Sequence, residues 1–165
     1  MTGHKVLFLA RHAKSSWKET GLSDSERPLN KRGRRDAPMM GKRLASQALR
    51  PEHIVSSPAI RAIRTAEVFA RCLNFDADDV EVDAGIYDAG AADLVNIVRG
   101  FDDRYHTVML VGHNPALTDL LNLLSGERID NMPTCSIATV NLNVSSWPCV
   151  RPGESKLVAF DYPKR

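Results

Sequence analysis

The chain has 165 residues, 43% of them hydrophobic and 25% charged, a balance that fits a single domain spanning 1–165 and excludes disordered and fibrous classes. Twenty-two Lys and Arg against twenty Asp and Glu leave a net charge of +2, too small an excess for a dedicated nucleic-acid binder. Cys72, Cys135 and Cys149 are odd in number and widely spaced, which excludes a CxxC pair or a dense disulfide framework and favours a reducing compartment.

In chain order, residues 5–10 read as a strand buried on both faces, because residues 6–10 form a short, continuous apolar run. Arg11-His12 follows it directly where a secretion signal would carry small residues, and no stretch reaches the ~18 apolar residues of a membrane span. A cytoplasmic protein with no membrane partner is expected. Residues 14–29 hold Ser, Gly, Asp and Pro without sustained periodicity and read as a loop over the strand's carboxyl end. Asn30 caps a helix whose buried face is Ala37, Met40, Gly41, Leu44, Ala45 and Ala48, and Pro51 stops it. A strand at 54–56 leads into Ser57-Pro58, read as a cap with proline in the first helical position, and a helix to about residue 73.

Strands at 80–82 and 107–111, a helix around 94–98 and another from Pro115 to about Leu124, closed near Gly126, complete the alternation. Two final strands, 136–144 and 156–160, flank a Pro- and Gly-bearing loop. The predicted fold is therefore α/β: a three-layer, mostly parallel sheet flanked by helices, with a C-terminal antiparallel edge pair.

Ligands of such sheets collect beyond the carboxyl ends of the strands. Three polar segments fall there: Arg11-His12-Ala13, Ser56-Ser57-Pro58-Ala59-Ile60-Arg61, and Gly112-His113-Asn114-Pro115. Together they supply two arginines, two histidines and two helix amino termini, a set suited to a phosphoryl group. Arginine matches phosphate oxygens with a planar fork of donors, helix amino termini add N–H groups, and a neutral imidazole offers a nucleophilic lone pair. Arg64, three residues beyond Arg61, is an alternative to it, whereas His4, His53 and His106 read as ordinary surface or core residues.

Leu9-Ala10-Arg11-His12-Ala13, the segment from Ser56 to Ala62, and Val111-Gly112-His113-Asn114-Pro115 resemble the histidine phosphatase, or phosphoglycerate mutase-like, superfamily. The resemblance spans most of the chain. Arg27-Pro28-Leu29 and the pattern from Asn114-Pro115-Ala116-Leu117 to Leu124-Ser125-Gly126-Glu127 are similar to the SixA-type phosphohistidine phosphatases. The resemblance implies that His12 is the nucleophile, that Arg11 and Arg61 bind phosphoryl oxygens, and that His113 completes the pocket. Arg-His-Ala stands here in place of the usual Arg-His-Gly. Lys14-Ser15-Ser16-Trp17-Lys18 resembles the mutase branch's Glu-Ser-x-Trp-Asn with lysines replacing the acid and the amide, which makes Ser15 and Lys18 candidates for a cationic substrate rim and counts against mutase activity.

The expected reaction is phosphoryl transfer to His12 and then to water, without cofactor or metal, because cationic side chains supply the electrostatic stabilisation and no compact HExxH or CxxC ligand spacing exists. Asp88 is the best-placed candidate for an acid that protonates an ester leaving group, although Asp before a helix also serves as an N-cap; Asp119 reads as a solvated helical residue. The weakness of any acid signal favours protein phosphohistidine, whose imidazole leaves readily, over a small phosphorylated substrate. Trp17 either covers the pocket or packs its loop onto the domain. Three other readings compete: a small-molecule phosphomonoesterase using Asp88, a non-catalytic phospho-ligand module, and a nucleic-acid binder using Lys31-Arg32-Gly33-Arg34-Arg35. The last lacks interleaved aromatics.

Overall fold

The computed structural model describes residues 4–165. Its elements are β1 (Val6–Arg11), α1 (Lys31–Ala45), β2 (His53–Ser56), α2 (Ile60–Cys72), β3 (Glu81–Val82), α3 (Ala91–Arg99), β4 (Thr107–Gly112), α4 (Ala116–Ser125), β5 (Ile137–Asn141) and β6 (Lys156–Asp161). The six strands form one sheet in the order β3-β2-β4-β1-β5-β6. The first four run parallel, and β5 runs antiparallel to both β1 and β6. This is the three-layer α/β architecture expected from the alternation of elements, with the antiparallel pair at one edge.

Each face of the sheet has its own core. Val6, Phe8 and Ala10 of β1 pack with Met40 and Leu44 of α1 and Phe69 of α2. Leu7 and Leu9 face the opposite way, toward Leu94 of α3 and Leu117 and Leu121 of α4. Because successive strand residues point to opposite faces, a strand covered on both sides must be apolar at every position. Each fully buried leucine contributes roughly 1.5–3 kcal/mol. At the far end of β1 from Arg11, the buried Lys5 ammonium donates to the carbonyls of Asp103 and Tyr105 at 2.8 Å each.

Element boundaries follow local chemistry, with three adjustments to the sequence expectation, the first being that α1 ends at Ala45, capped by Ser46, so Ala48 lies exposed beyond the helix. Asn30 caps α1 by accepting from the Gly33 N–H at 2.8 Å, and Gly126 closes α4 in the left-handed conformation, φ 75°. Helix α2 begins at Ile60, so Pro58 precedes the helix rather than opening it. The Ser57 hydroxyl reaches only the Ala59 N–H and is otherwise engaged with His113. Strand β5 ends at Asn141, short of the expected 144, because Asn143 turns the chain with φ 56°.

The loop 14–29 is tied down at both ends by a bridge between Ser15 and Leu29, and residues Asp24–Glu26 form a 3-10 turn within it. Helix α1 abuts the start of that loop at Gly33, where a Cβ would lie 2.1 Å from the Lys14 carbonyl oxygen. Gly33→Ala is therefore expected to destabilise the fold by about 1–3 kcal/mol, read as a lower urea midpoint at unchanged slope. A midpoint equal to wild type would contradict this close approach.

Candidate active site

Strand register sets the geometry of the site. Arg11 pairs with Gly112 across β1 and β4, and Ser56 pairs with Val111 across β2 and β4. The next residues therefore leave adjacent strand ends together. The His12 N–H donates to the Gly112 carbonyl at 3.2 Å and the Ser57 N–H to the Val111 carbonyl at 3.0 Å. The His12 and His113 rings consequently face each other with centroids 5.2 Å apart.

His12 is held by both of its ring nitrogens. Nδ1 lies 2.8 Å from the Ala13 carbonyl oxygen, which can only accept, so Nδ1 carries the proton. Nε2 is left with its lone pair, toward which Arg61 Nε–H points at 3.3 Å. The peptide that carries this arrangement is fixed by Thr65, whose hydroxyl accepts from the Ala13 N–H at 3.0 Å and donates to the Arg61 carbonyl at 2.8 Å. Arg11 Nη1 donates to the Met132 carbonyl at 2.8 Å, and Asn114 donates to the same oxygen at 2.9 Å. His113 Nε2 lies 2.7 Å from the Ser57 hydroxyl. Arg11 Nε and His113 Nδ1 are buried with no hydrogen-bond partner among the described residues, the condition of a polar site built for a ligand.

The loop 14–29 completes the enclosure through residues the sequence reading did not single out. Arg61 Nη1 donates to the Asp24 carbonyl at 2.7 Å and Nη2 to its carboxylate at 2.9 Å. The same carboxylate accepts from Arg27 Nε at 3.1 Å and from the Tyr87 hydroxyl at 2.5 Å. Both terminal nitrogens of Arg61 are thus committed to Asp24, and its Nε faces His12. Arg27 also donates to the Ser15 hydroxyl at 2.7 Å. In the sequence Arg27 stands out only within Arg27-Pro28-Leu29, and Asp24 and Tyr87 sit in segments with no periodic signal.

Arg11, His12, Arg61 and His113 line one cavity of about 200 Å³, joined by Lys14, Ser15, Trp17, Arg27, Asn114 and Thr134. Ser15 thus reaches the pocket. Lys18 is exposed and lies outside the lining, where Lys14 supplies the cationic rim instead. Asp88 is exposed and borders an adjoining cavity of about 210 Å³ with Asp119, sharing His113 and Asn114 with the first pocket. It is not the cap of α3, a position taken by Gly90. Arg64 turns outward to Glu67, leaving Arg61 as the pocket arginine. Within the basic run, Arg32 and Arg35 pair with Asp36, and Arg34 donates to the Leu29 carbonyl. A larger hollow of about 480 Å³ lies between α1 and β6, away from both imidazoles.

Burial dominates the electrostatics. It lowers the His12 pKa to about 3, with His113, Arg61 and Arg11 adding repulsion against the Ala13 bond, which acts the other way. Burial likewise lowers His113 to about 4, with Arg61 the next cause. Both rings are therefore neutral near pH 7. The Tyr87 hydrogen bond is the main cause that holds the Asp24 carboxyl well below the usual carboxylate range; burial, next in size, opposes it, and the contacts with Arg61 and Arg27 add to the lowering. No helix among the described residues is long and apolar enough to cross a membrane, and no cluster of three or more His, Cys, Asp or Glu side chains stands ready to hold a metal.

A mostly parallel three-layer sheet whose strand ends gather two arginines around two neutral imidazoles defines an α/β protein of the phosphoglycerate mutase-like fold. The chain belongs to the histidine phosphatase superfamily (branch 1), whose family model matches residues 7–94, a span that includes Arg11, His12 and Arg61. An uncharacterized chloroplastic protein of Arabidopsis thaliana is 33% identical over 149 residues, covering 86% of this chain and 68% of that one. Within the superfamily the likeness is to the SixA type. A SixA-designated protein of Agrobacterium tumefaciens superposes with a TM-score of 0.82 at 26% identity, covering 97% and 99% of the two chains. The protein histidine phosphatase SixA in complex with tungstate does so with a TM-score of 0.76 at 25% identity, covering 96% and 97%.

The two depressed histidines have a consequence for stability. Between their folded values and the ordinary value of 6.5, the unfolded chain binds protons that the folded chain does not, so stability falls as pH drops through that window. Each ring contributes at most about 1.4 kcal/mol per pH unit. Urea unfolding from pH 7 to pH 5 should show this loss, reduced in a His12→Asn, His113→Asn variant; equal slopes in both proteins would contradict it.

Proposed function

We propose that the protein is a phosphatase that passes a phosphoryl group first to His12 and then to water, acting on phosphohistidine in proteins. The observation that carries this reading is the His12 ring: neutral, anchored through Nδ1, with the Nε2 lone pair presented beside Arg61. An anion-binding module needs donors but no such nucleophile. That the similar SixA protein forms a complex with tungstate, which has the tetrahedral form of phosphate, supports an oxyanion ligand for this chain.

In the first step the Nε2 lone pair attacks phosphorus in line, and the electrons of the scissile P–N bond pass to the substrate imidazole, which arrives protonated on its other nitrogen and leaves neutral. Arg11 and Arg61 hold the equatorial oxygens: Arg11 Nε has no other partner, and Arg61 Nε–H turns from the His12 Nε2 lone pair to the phosphoryl group as that group enters. The incoming negative charge raises the His113 pKa from about 4 toward the ordinary histidine range, which favours uptake of a proton by this ring as the anion binds. In the second step water attacks phospho-His12, the P–Nε2 electrons return to the ring, and the water's proton passes to solvent. Buried guanidinium groups supply the charge that a metal would otherwise bring.

Protein phosphohistidine is favoured over an alkyl phosphate by the placing of the carboxylates. Asp24, which touches the pocket arginine, is held ionised and has no proton to give. Asp88 borders the neighbouring cavity rather than this one. A substrate imidazole leaves without an enzymic acid, whereas an alkoxide does not. The test is turnover of a phosphohistidine protein, a sugar phosphate and p-nitrophenyl phosphate in the presence of a chelator. The phosphohistidine protein should be the preferred substrate, and His12→Ala should lower turnover by at least about 10³-fold. Retention of activity by His12→Ala would overturn the reading, and a preference for sugar phosphate that is abolished by Asp88→Asn would replace it with the phosphomonoesterase reading.

A further inference from the structure

Trp17 stands at the mouth of the pocket in an unusual state for a tryptophan. Its side chain is 73% exposed, whereas the other tryptophan, Trp147, is fully buried with its indole N–H bonded to the Tyr105 carbonyl. Of the two roles open to Trp17 in the sequence, that exposure and its place in the pocket lining favour the one at the pocket over packing of the loop onto the domain. Its notable contact is with Arg27, whose guanidinium lies over the indole at 3.5 Å from the ring centroid.

That contact fixes the indole from below. Arg27 is itself buried and bonded to the Asp24 carboxylate, the Ser15 hydroxyl and the Ser16 carbonyl. The Ser16 N–H in turn donates to the Pro28 carbonyl at 2.9 Å. A flat apolar ring is thus held against a buried cation at the edge of the cavity that contains His12, with most of its surface bare. The open indole face at the edge of a polar pocket is thus available to a flat ring carried by the ligand.

We infer that Trp17 determines specificity by stacking against the imidazole ring of a protein phosphohistidine while the phosphoryl group occupies the Arg11–His12–Arg61–His113 pocket. The inference rests on the phosphatase reading above. In phosphohistidine the flat ring is bonded directly to phosphorus, so it lies at the pocket mouth once the phosphoryl group is seated. A sugar phosphate or phosphoserine places a tetrahedral, hydrated carbon there and gains little from an aromatic face. Stacking of flat rings on aromatic side chains discriminates by ring shape rather than by hydrogen bonding. Trp17 therefore selects the leaving group without touching the phosphoryl chemistry.

The experiment compares kcat/KM for a short phosphohistidine peptide with that for phosphoramidate, which carries the same P–N bond but no ring. In Trp17→Ala the ratio of the two should fall about tenfold, and in Trp17→Phe it should return to within about threefold of wild type. Urea midpoints confirm that both variants are folded. A ratio unchanged in Trp17→Ala, with both substrates affected alike, would overturn the inference and leave the phosphatase reading standing. A wild-type protein that hydrolyses phosphoramidate but not the peptide would remove the phosphohistidine reading and the inference together.

Discussion

The pairing of β1 with β4 is the constraint on which the site depends. Both strands are buried on both faces, and their parallel register aligns Arg11 with Gly112. A parallel register cannot slip by one residue without turning every side chain to the opposite core. The two hydrophobic cores, one beneath α1 and α2 and the other beneath α3 and α4, therefore determine that His12 and His113 emerge side by side. The geometry of the site is a consequence of which face each leucine and valine of the central strands occupies.

The second requirement is that charged groups remain buried beside these imidazoles without collapsing the pocket. Arg61 meets it by giving both terminal nitrogens to Asp24, which leaves Nε for the site. Asp24 is 45% exposed, so the pair is partly screened, and its value lies in orientation more than in stability. Arg27 and Tyr87 bond the same carboxylate, so the loop 14–29, helix α2 and the segment before α3 meet at one group. Arg11 takes a different route through the Met132 carbonyl, an oxygen it shares with Asn114. The pocket is thus preorganised by backbone and side-chain partners that hold its donors in place before any anion arrives.

Much of this was legible in the sequence because it follows from periodicity. The unbroken apolar run before Arg11 required a doubly covered strand, and the polar residues just after three such runs had to share one sheet edge. Arg11, His12, Arg61 and His113 were found on that ground. Asp24 and Tyr87 were not, because their roles come from contacts spanning 37 and 63 residues within non-periodic segments. Asp88 and Lys18 had the right composition and neighbourhood, but no sequence signal states which side of His113 a carboxylate falls on, or that Lys14 rather than Lys18 meets the pocket. The start of α2 was misplaced for a related reason: the Ser57 hydroxyl is engaged by His113, a long-range contact that overrides the local capping preference.

The central claim is that His12 carries the phosphoryl group between substrate and water. Rapid acid-free quenching during turnover, followed by mass spectrometry under alkaline conditions, tests it most directly. The structure predicts an acid-labile, alkali-stable phosphoryl group on Nε2 of His12, because Nδ1 is engaged by the Ala13 carbonyl. Turnover with no phosphoryl group on His12 at any quench time, and with inversion of configuration at phosphorus, would mean that water attacks the substrate directly and would contradict the account.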